Sequence, residues 1–550
     1  MLLVVFFALL LFPLLFILRF LDNNTLASWQ WTISRDLFPR LFLLLIAGMP
    51  VTAMLARYLP LEKIPPAVLL PMGLVWLAPI WPVPEPLLDA GRYFLQAKYL
   101  ATYGLPVFLR EWGGDLWVWT DLPLTATLYG VVVSFFGEER YWLQGVNSAL
   151  FACALWVTAL VGQRLWDKTT GLAAGLLLMS MPLYFVQASF VLNDSHLLFL
   201  FVLSIFFHLQ AVDRGRFSIV AAALSLAALL LTKYSAVFFA TVHLAPAVLA
   251  WVKGESERRR RSCLVLLLAF LFITPFLVMK HEVVLSQLAM LLTYQAEGLG
   301  RWQESYLSTF LFHVHPFVVL LALPAMAIAC RKKEQAFFLL GWLPLAALVL
   351  GIGRSRYLFP LLPIMALFAA NGLYRFVHSP WARRALLLAV LFSSALQAHG
   401  SAVPFLQKIS MANLRDAGTW IDRHATGPVT VHFLPQAAST GDTYALLPLL
   451  DLYTMVELLP AEIRHAPARH RQYQNSLQFT GEMEEARFYR ERQRKKTRTH
   501  VILSSQPVDP RTAGDVTRCG QVSIVNTFWQ DSTIFRYKAL VTVVESDRPC

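Results

Sequence analysis

The chain has 550 residues, 57% of them hydrophobic and only 15% charged, with a formal net charge of +13. Soluble domains carry roughly 25% charged residues and disordered chains are poorer still in apolar ones, so a water-soluble globule and a disordered chain are both excluded. The apolar excess faces lipid, and the positive charge reads as membrane orientation rather than as a nucleic-acid surface.

A membrane span needs about 20 apolar residues. In chain order, candidate runs cover 1–20, 37–58, 64–82, 143–164, 171–190, 194–212, 217–232, 235–252, 262–280, 309–330, 335–352, 357–378 and 382–400. The sequence therefore predicts an α-helical polytopic membrane protein of about 13 transmembrane helices. Residues 1–20 lack a basic start and a small-residue cleavage site, so they are kept as a span rather than a signal peptide. The short apolar stretch 122–137 is read as a helix lying flat in the interface. With it flat, the basic loops 164–168, 213–216, 253–261, 331–333 and 375–384 all fall on one side, which is the cytoplasm. Arg35 and Arg40 then lie outside, against the rule.

The opposite face receives the loops 83–142 and 281–308 and the tail. Residues 1–402 form the membrane module, and 403–550 a C-terminal soluble α/β domain on the outer side. The tail carries only +3 of the net charge. It shows an amphipathic helix over 414–424 and strand-like runs at 429–434, 500–504, 521–528 and 533–544. The basic run 487–498 is read as a solvated helix face. Cys519 and Cys550 either pair, if the tail is extracytoplasmic, or stay free thiols.

The outer loop 83–142 carries the informative chemistry. Its first part is helical, with Asp89, Tyr93, Ala97 and Leu100 on one face. Asp89 is either an N-terminal cap or a general base. Lys233, Arg354 and Arg356 fall at outer span ends, as snorkelling residues or as partners for an anion. Lys233 is flanked by apolar runs, where a charge is costly and usually functional. Asp194 opens a span and is either a cap or an acceptor-positioning group. Arg92 and Tyr93 either orient Asp89 or hold the loop helix. His196, His313 and His315 read as interfacial, with His313-Val314-His315 a weak metal pattern. Trp112, Trp117 and Trp119 read as an aromatic belt or a sugar platform. Tyr294, Glu297 and Arg301 in the second outer loop are read as a gate for the donor.

The order of these segments resembles a known superfamily. Asp-x-Gly-Arg-Tyr (89–93) follows the opening spans. Pro123-Leu124 begins a helix ending in Phe136-Gly137-Glu138, and a span ends in Gly162-x-Arg164-Leu165-Trp166. Asn193-Asp194, Leu231-Thr232-Lys233 and Arg356-Tyr357-Leu358-Phe359-Pro360-Leu361-Leu362-Pro363 come after. This order, over residues 80–380, resembles the lipid-linked-sugar glycosyltransferases of the GT-C superfamily. The bacterial aminoarabinose transferases of lipid A are nearest, and the protein O-mannosyltransferases are more distant. Two departures stand out. Ala90 replaces a second acid, and Thr120-Asp121-Leu122-Pro123-Leu124 stands where relatives carry Glu-Lys-Pro-Pro-Leu, so a basic position has become acidic.

The resemblance implies a GT-C fold and an enzyme that moves a hexose or pentose, with inversion, from polyprenyl phosphate to a lipid, glycan or protein hydroxyl. It assigns Asp89 and Asp194 to catalysis and Lys233, Arg354, Arg356 and Tyr357 to the donor phosphate. Arg92, Tyr93 and Asp121 position substrate. No metal ligands are assigned, the sequence calls for no cofactor, and a divalent metal stays open. The expected partners are the donor lipid, its acceptor and membrane lipid, with no nucleic acid and a monomeric state. The expected place is the bacterial inner membrane, with the active site and tail facing the periplasm or exterior. A transporter or lipid flippase is the competing class. Transporters usually show internal repeats, and none is evident. A binding subunit with a degenerate site is the third reading.

Overall fold

The computed structural model describes residues 38–213, 215–295, 306, 309–353, 355–434, 443–461, 486–492, 495–532 and 537–550. The first expected span, Arg35, Arg354, Glu297 and Arg301 lie outside the described residues, as does the side chain of Tyr294.

Contacts divide the chain into two units. The first comprises Met1–Ile80, Gly145–Ala188 and Asn193–Phe405, and the second Trp81–Gln144, Ser189–Leu192 and Leu406–Cys550. The stretch that holds the outer loop 83–142 thus falls in one unit with the tail.

The first unit is built of apolar helices. Among the described residues of the chain, five helices are long and apolar enough to cross a membrane: Arg140–Leu165, Asp194–Asp213, Ser256–Met279, Ser355–Phe376 and Pro380–Ile409. Shorter apolar helices, such as Phe42–Tyr58, Lys168–Met179, Arg216–Leu230 and Pro316–Arg331, occupy other expected spans. Several of those spans are broken rods. The run 171–190 stops at Met179 and resumes with Pro182 in the first turn of Pro182–Gln187. Proline has no N–H to continue the ladder but suits a helix start, so hydropathy sees one run where the backbone makes two.

Close packing explains one of the sequence motifs. Gly162 lies on Arg140–Leu165 where a Cβ would come within 2.8 Å of the Gly171 Cα. Arg164 pairs with Asp213, and Trp166 meets Phe368 edge-on at 6.0 Å. Gly-x-Arg-Leu-Trp is thus a helix-packing element. The side chain of Asp167 caps the next helix by accepting from Thr169 N and Thr170 N at 2.9 Å each.

The second unit contains a five-stranded mixed sheet. Its strands are β1 (Val429–Leu434), β2 (Leu458–Pro460), β3 (Thr499–Ser504), β4 (Val522–Ser532) and β5 (Tyr537–Ser546), in the order β2-β1-β3-β5-β4. β1 is parallel to β2 and β3, while β5 is antiparallel to β3 and β4. The helix Ala412–His424 is fixed to the sheet by Asn413 Nδ2, which donates to Ala539 O at 3.0 Å. Ile502, Val508, Ala513 and Val544 form a small core. The outer loop supplies the helices Ala90–Tyr103 and Pro123–Phe136, whose close approach puts Gly130 against Leu100. Fourteen residues rise about 21 Å, short of a roughly 30 Å hydrocarbon core.

The basic run 487–498 is not a solvated face throughout. Arg487–Glu491 is a short helix whose Phe488 and Tyr489 are buried. Arg487 pairs with Glu111 at 3.2 Å and with Glu491 at 2.6 Å. Cys519 and Cys550 form a disulfide, which resolves the alternative left by the sequence.

Candidate active site

In the first unit, the ionisable residues singled out in apolar runs meet around one carboxylate. Asp194 begins the helix Asp194–Asp213, where the helix dipole favours negative charge, and it is buried. Its Oδ1 accepts from Lys233 Nζ at 2.9 Å. Its Oδ2 accepts from Arg356 Nε at 2.5 Å and from Gln187 Nε2 at 3.2 Å. Lys233 follows the end of the helix Arg216–Leu230, and its ammonium stands 5.1 Å from the Tyr357 ring centroid. Asn193 Nδ2 donates to Thr232 O at 3.5 Å, tying the Asn-Asp and Leu-Thr-Lys segments together. Two cations thus share one carboxylate. The Lys233 and Arg356 side chains are 17% and 16% exposed, against 2% for that of Asp194. The acid is sealed in, and both cations keep a partly exposed side.

The second unit has its own aspartate-centred cluster. Asp121, the acidic replacement, is buried. It accepts from the Tyr93 hydroxyl at 2.9 Å, Arg92 Nε at 3.1 Å and Gln96 Nε2 at 3.3 Å. These donors lie on one side of the helix Ala90–Tyr103, one turn apart at most. Arg92 and Tyr93, offered by the sequence as groups that orient Asp89, both hold Asp121. Trp119, two residues earlier, adopts φ +49°, a left-handed conformation unusual for a bulky residue.

Asp89 occupies the position before Ala90–Tyr103 with helical φ and ψ, and its side chain makes no capping hydrogen bond. The cap reading of Asp89 therefore fails, and its carboxylate is half-buried. Close by in sequence is a residue that the sequence reading missed, Glu85. It is fully buried between two prolines and accepts from Leu87 N and Val191 N at 3.1 Å each. Burial is the larger influence on its carboxyl and pushes it up to about 7, against the pull of Arg140 and the two N–H groups and with help from the charge of Asp89. Arg140 donates to Trp81 O and Ser189 O at 3.1 Å each. The only signal for Glu85 was an acid in Pro-x-Pro context, which says nothing of burial.

Other expectations change character. Trp112 and Trp119 are buried rather than arrayed on an interface. His315 is a buried helix cap with φ +88°, accepting from Phe317 N at 3.3 Å and facing Ser393 Oγ at 3.1 Å. His196 and His313 are also buried. Among the described residues, one group of three His, Cys or carboxylate side chains has its ligand atoms together, and it is His500, Cys519 and Cys550 in the tail.

Comparison with known proteins adds the following. Residues 123–279 match the family model described as dolichyl-phosphate-mannose-protein mannosyltransferase. No curated protein matches by sequence. Among solved structures, the chain is similar to ArnT from Cupriavidus metallidurans bound to undecaprenyl phosphate, at 14% identity and TM-score 0.59, over 86% of this chain and 97% of that one. The apo state of the same protein matches over the same shares at 14% identity and TM-score 0.58. The fold is the GT-C fold. The GT-C resemblance read from motif order therefore holds. The Pro-Leu helix, Gly162-x-Arg164-Leu165-Trp166, Asn193-Asp194 and Leu231-Thr232-Lys233 lie inside the family-matched stretch, while 89–93 and 356–363 lie outside it.

Proposed function

We propose that this protein is an integral-membrane glycosyltransferase that moves a monosaccharide from polyprenyl phosphate to a lipid, glycan or protein hydroxyl. The observation that carries this reading is the Lys233–Asp194–Arg356 cluster, in which two cations from separate GT-C motif segments share one buried acid. A lipid phosphate is ionised at neutral pH and leaves without a proton, so its departure requires stabilising positive charge. Lys233 supplies a point charge and Arg356 a planar donor fork, with Tyr357 beneath the ammonium and Arg354 proposed to assist them. The family model's dolichyl-phosphate-mannose description and the undecaprenyl phosphate bound by ArnT support a polyprenyl-phosphate donor.

Asp89 is the proposed general base. The acceptor oxygen attacks the anomeric carbon as its proton passes to the Asp89 carboxylate, and the bond from that carbon to the phosphate oxygen breaks. One displacement inverts the configuration. Asp194 has the proposed role of fixing both cations, and the Arg92–Asp121–Tyr93 cluster that of fixing the loop helix next to Asp89. Because the loop 81–144 and the tail contact each other within one unit, they belong on the same side of the bilayer, which supports the reading that both face outward from a bacterial inner membrane. The protein is proposed to act as a monomer.

The test is Asp89→Asn in purified full-length protein, with a polyprenyl-phosphate sugar as donor. Transfer is expected to fall by about 10²- to 10⁴-fold with unchanged expression. Full activity in this variant removes Asp89 as the base.

A further inference from the structure

The tail holds a cluster that sugar transfer does not use. His500 lies on β3, buried, and its Nε2 faces Cys519 Sγ at 3.4 Å and Cys550 Sγ at 3.3 Å. Its Nδ1 faces His432 Nε2 at 3.3 Å. With Nδ1 as the protonated nitrogen, the lone pair of Nε2 is directed at two sulfurs. A hydrogen bond on the far ring nitrogen is also how proteins orient a ligating histidine.

The sulfurs are held there by more than their mutual bond. Cys550 N donates to Thr497 O at 3.1 Å, and Thr497 N to Cys550 O at 3.3 Å. Cys519 N donates to Thr517 Oγ1 at 3.4 Å. These backbone bonds do not involve the sulfur–sulfur bond. Tetrahedral zinc with bonds of about 2.3 Å to sulfur and 2.0–2.1 Å to nitrogen separates N from S by about 3.6 Å and S from S by about 3.8 Å. The two N···S distances already lie near that value, and only the sulfurs have to part. Cys550 is exposed and Cys519 half-buried, so a reductant can reach them.

We propose that His500, Cys519 and Cys550 form a redox-gated site for a divalent cation of the zinc class, closed as the disulfide and opened by a dithiol reductant. The dithiol delivers two electrons and two protons to the disulfide and becomes a disulfide itself, leaving two thiols. The incoming cation displaces both thiol protons and is bound by two thiolates and a neutral imidazole, a neutral assembly. Water or Ser546 Oγ, 3.5 Å from His500 Nε2, completes the coordination. A disulfide donor that exchanges with the two thiolates takes up their two electrons, becomes a dithiol, re-forms the Cys519–Cys550 bond and releases the cation.

The test uses the full chain in detergent with Co²⁺ as the probe. After reduction by a phosphine and its removal without oxygen, one Co²⁺ per chain is expected, with thiolate-to-cobalt charge transfer and tetrahedral d–d bands. The oxidised chain is expected to show neither. The double variant Cys519→Ser/Cys550→Ser keeps Cys153, Cys263 and Cys330 and should lose the bands, and His500→Gln should weaken binding about tenfold or more. The oxidised and reduced wild-type chains give the primary contrast, so the result does not depend on a variant folding. No charge transfer in the reduced wild type, bands retained in the double variant, or unchanged affinity in His500→Gln would each overturn the site.

Discussion

Two buried aspartates, Asp194 and Asp121, are held in opposite ways. Asp194 has two cations on it, Lys233 and Arg356, drawn from segments 39 and 162 residues away. Asp121 accepts from the cation Arg92 and from two neutral donors, Tyr93 and Gln96, which share one helix. The first arrangement gathers two cations onto one buried acid, and charges in such surroundings are costly and usually functional. The second ties one helix to the acid. The proposed anion site and the helix anchor thus differ in the cations seen on the acid and in how far the donors come.

The largest expected effect tests that distinction directly. Arg356→Met should lower kcat/KM for a polyprenyl-phosphate sugar by about 10²- to 10³-fold, the usual loss for one donor to a developing oxyanion. Arg92→Met should cost less than about tenfold in the same assay and act instead on thermal stability. Equal catalytic losses in two well-folded variants would erase the contrast. Arg356→Lys should recover only part of the activity, since a point charge does not replace a planar fork.

Asp121→Asn gives an effect of middle size. It strips Arg92 of its counter-charge and should destabilise the protein by about 1–3 kcal/mol, read as a lower Tm in detergent. Combined with Arg92→Met, the second change should add less than its separate cost, because both act on one contact. Additive losses would mean that Asp121 and Arg92 work independently.

How much of this was legible depended on the range of the interactions. The tail strands at 429–434 and 500–504 were readable because alternation is a local signal, and β1 begins and ends where the sequence placed it. β2 was missed: it has three residues, ends in Pro460 and lies at the sheet edge. The helix Asp194–Asp213 was readable because aspartates bracket its apolar run, whereas proline breaks hidden inside other runs were averaged away by hydropathy. At the site, Lys233, Asp194 and Arg356 stood out one by one as charges in apolar surroundings. Their meeting did not, because no local pattern encodes a pairing across 162 residues. Arg92 and Tyr93 were noticed beside Asp89, while their bonds to Asp121, 29 and 28 residues away, had no local signal.

The smallest expected effect concerns Glu85, a third buried acid that stands between the two cases: it is held by two backbone N–H groups, and its cation, Arg140, acts only through the field. Its carboxyl is pushed up to about 7 by burial, above the 4.5 of an exposed glutamate. Between those values the folded protein binds more protons than the unfolded chain, so this group makes stability fall as pH rises from about 4.5 through about 7. Below that window it contributes no slope, and above it the ionised buried carboxylate is a constant penalty. Glu85→Gln keeps an acceptor for one N–H and removes the charge. The variant's Tm should therefore decline less between pH 5 and pH 7 than that of the wild type, with the two curves converging toward acid pH. Parallel curves between pH 5 and pH 7 would mean that Glu85 is already ionised at pH 5 and that the field of Arg140 and the two N–H groups outweighs burial.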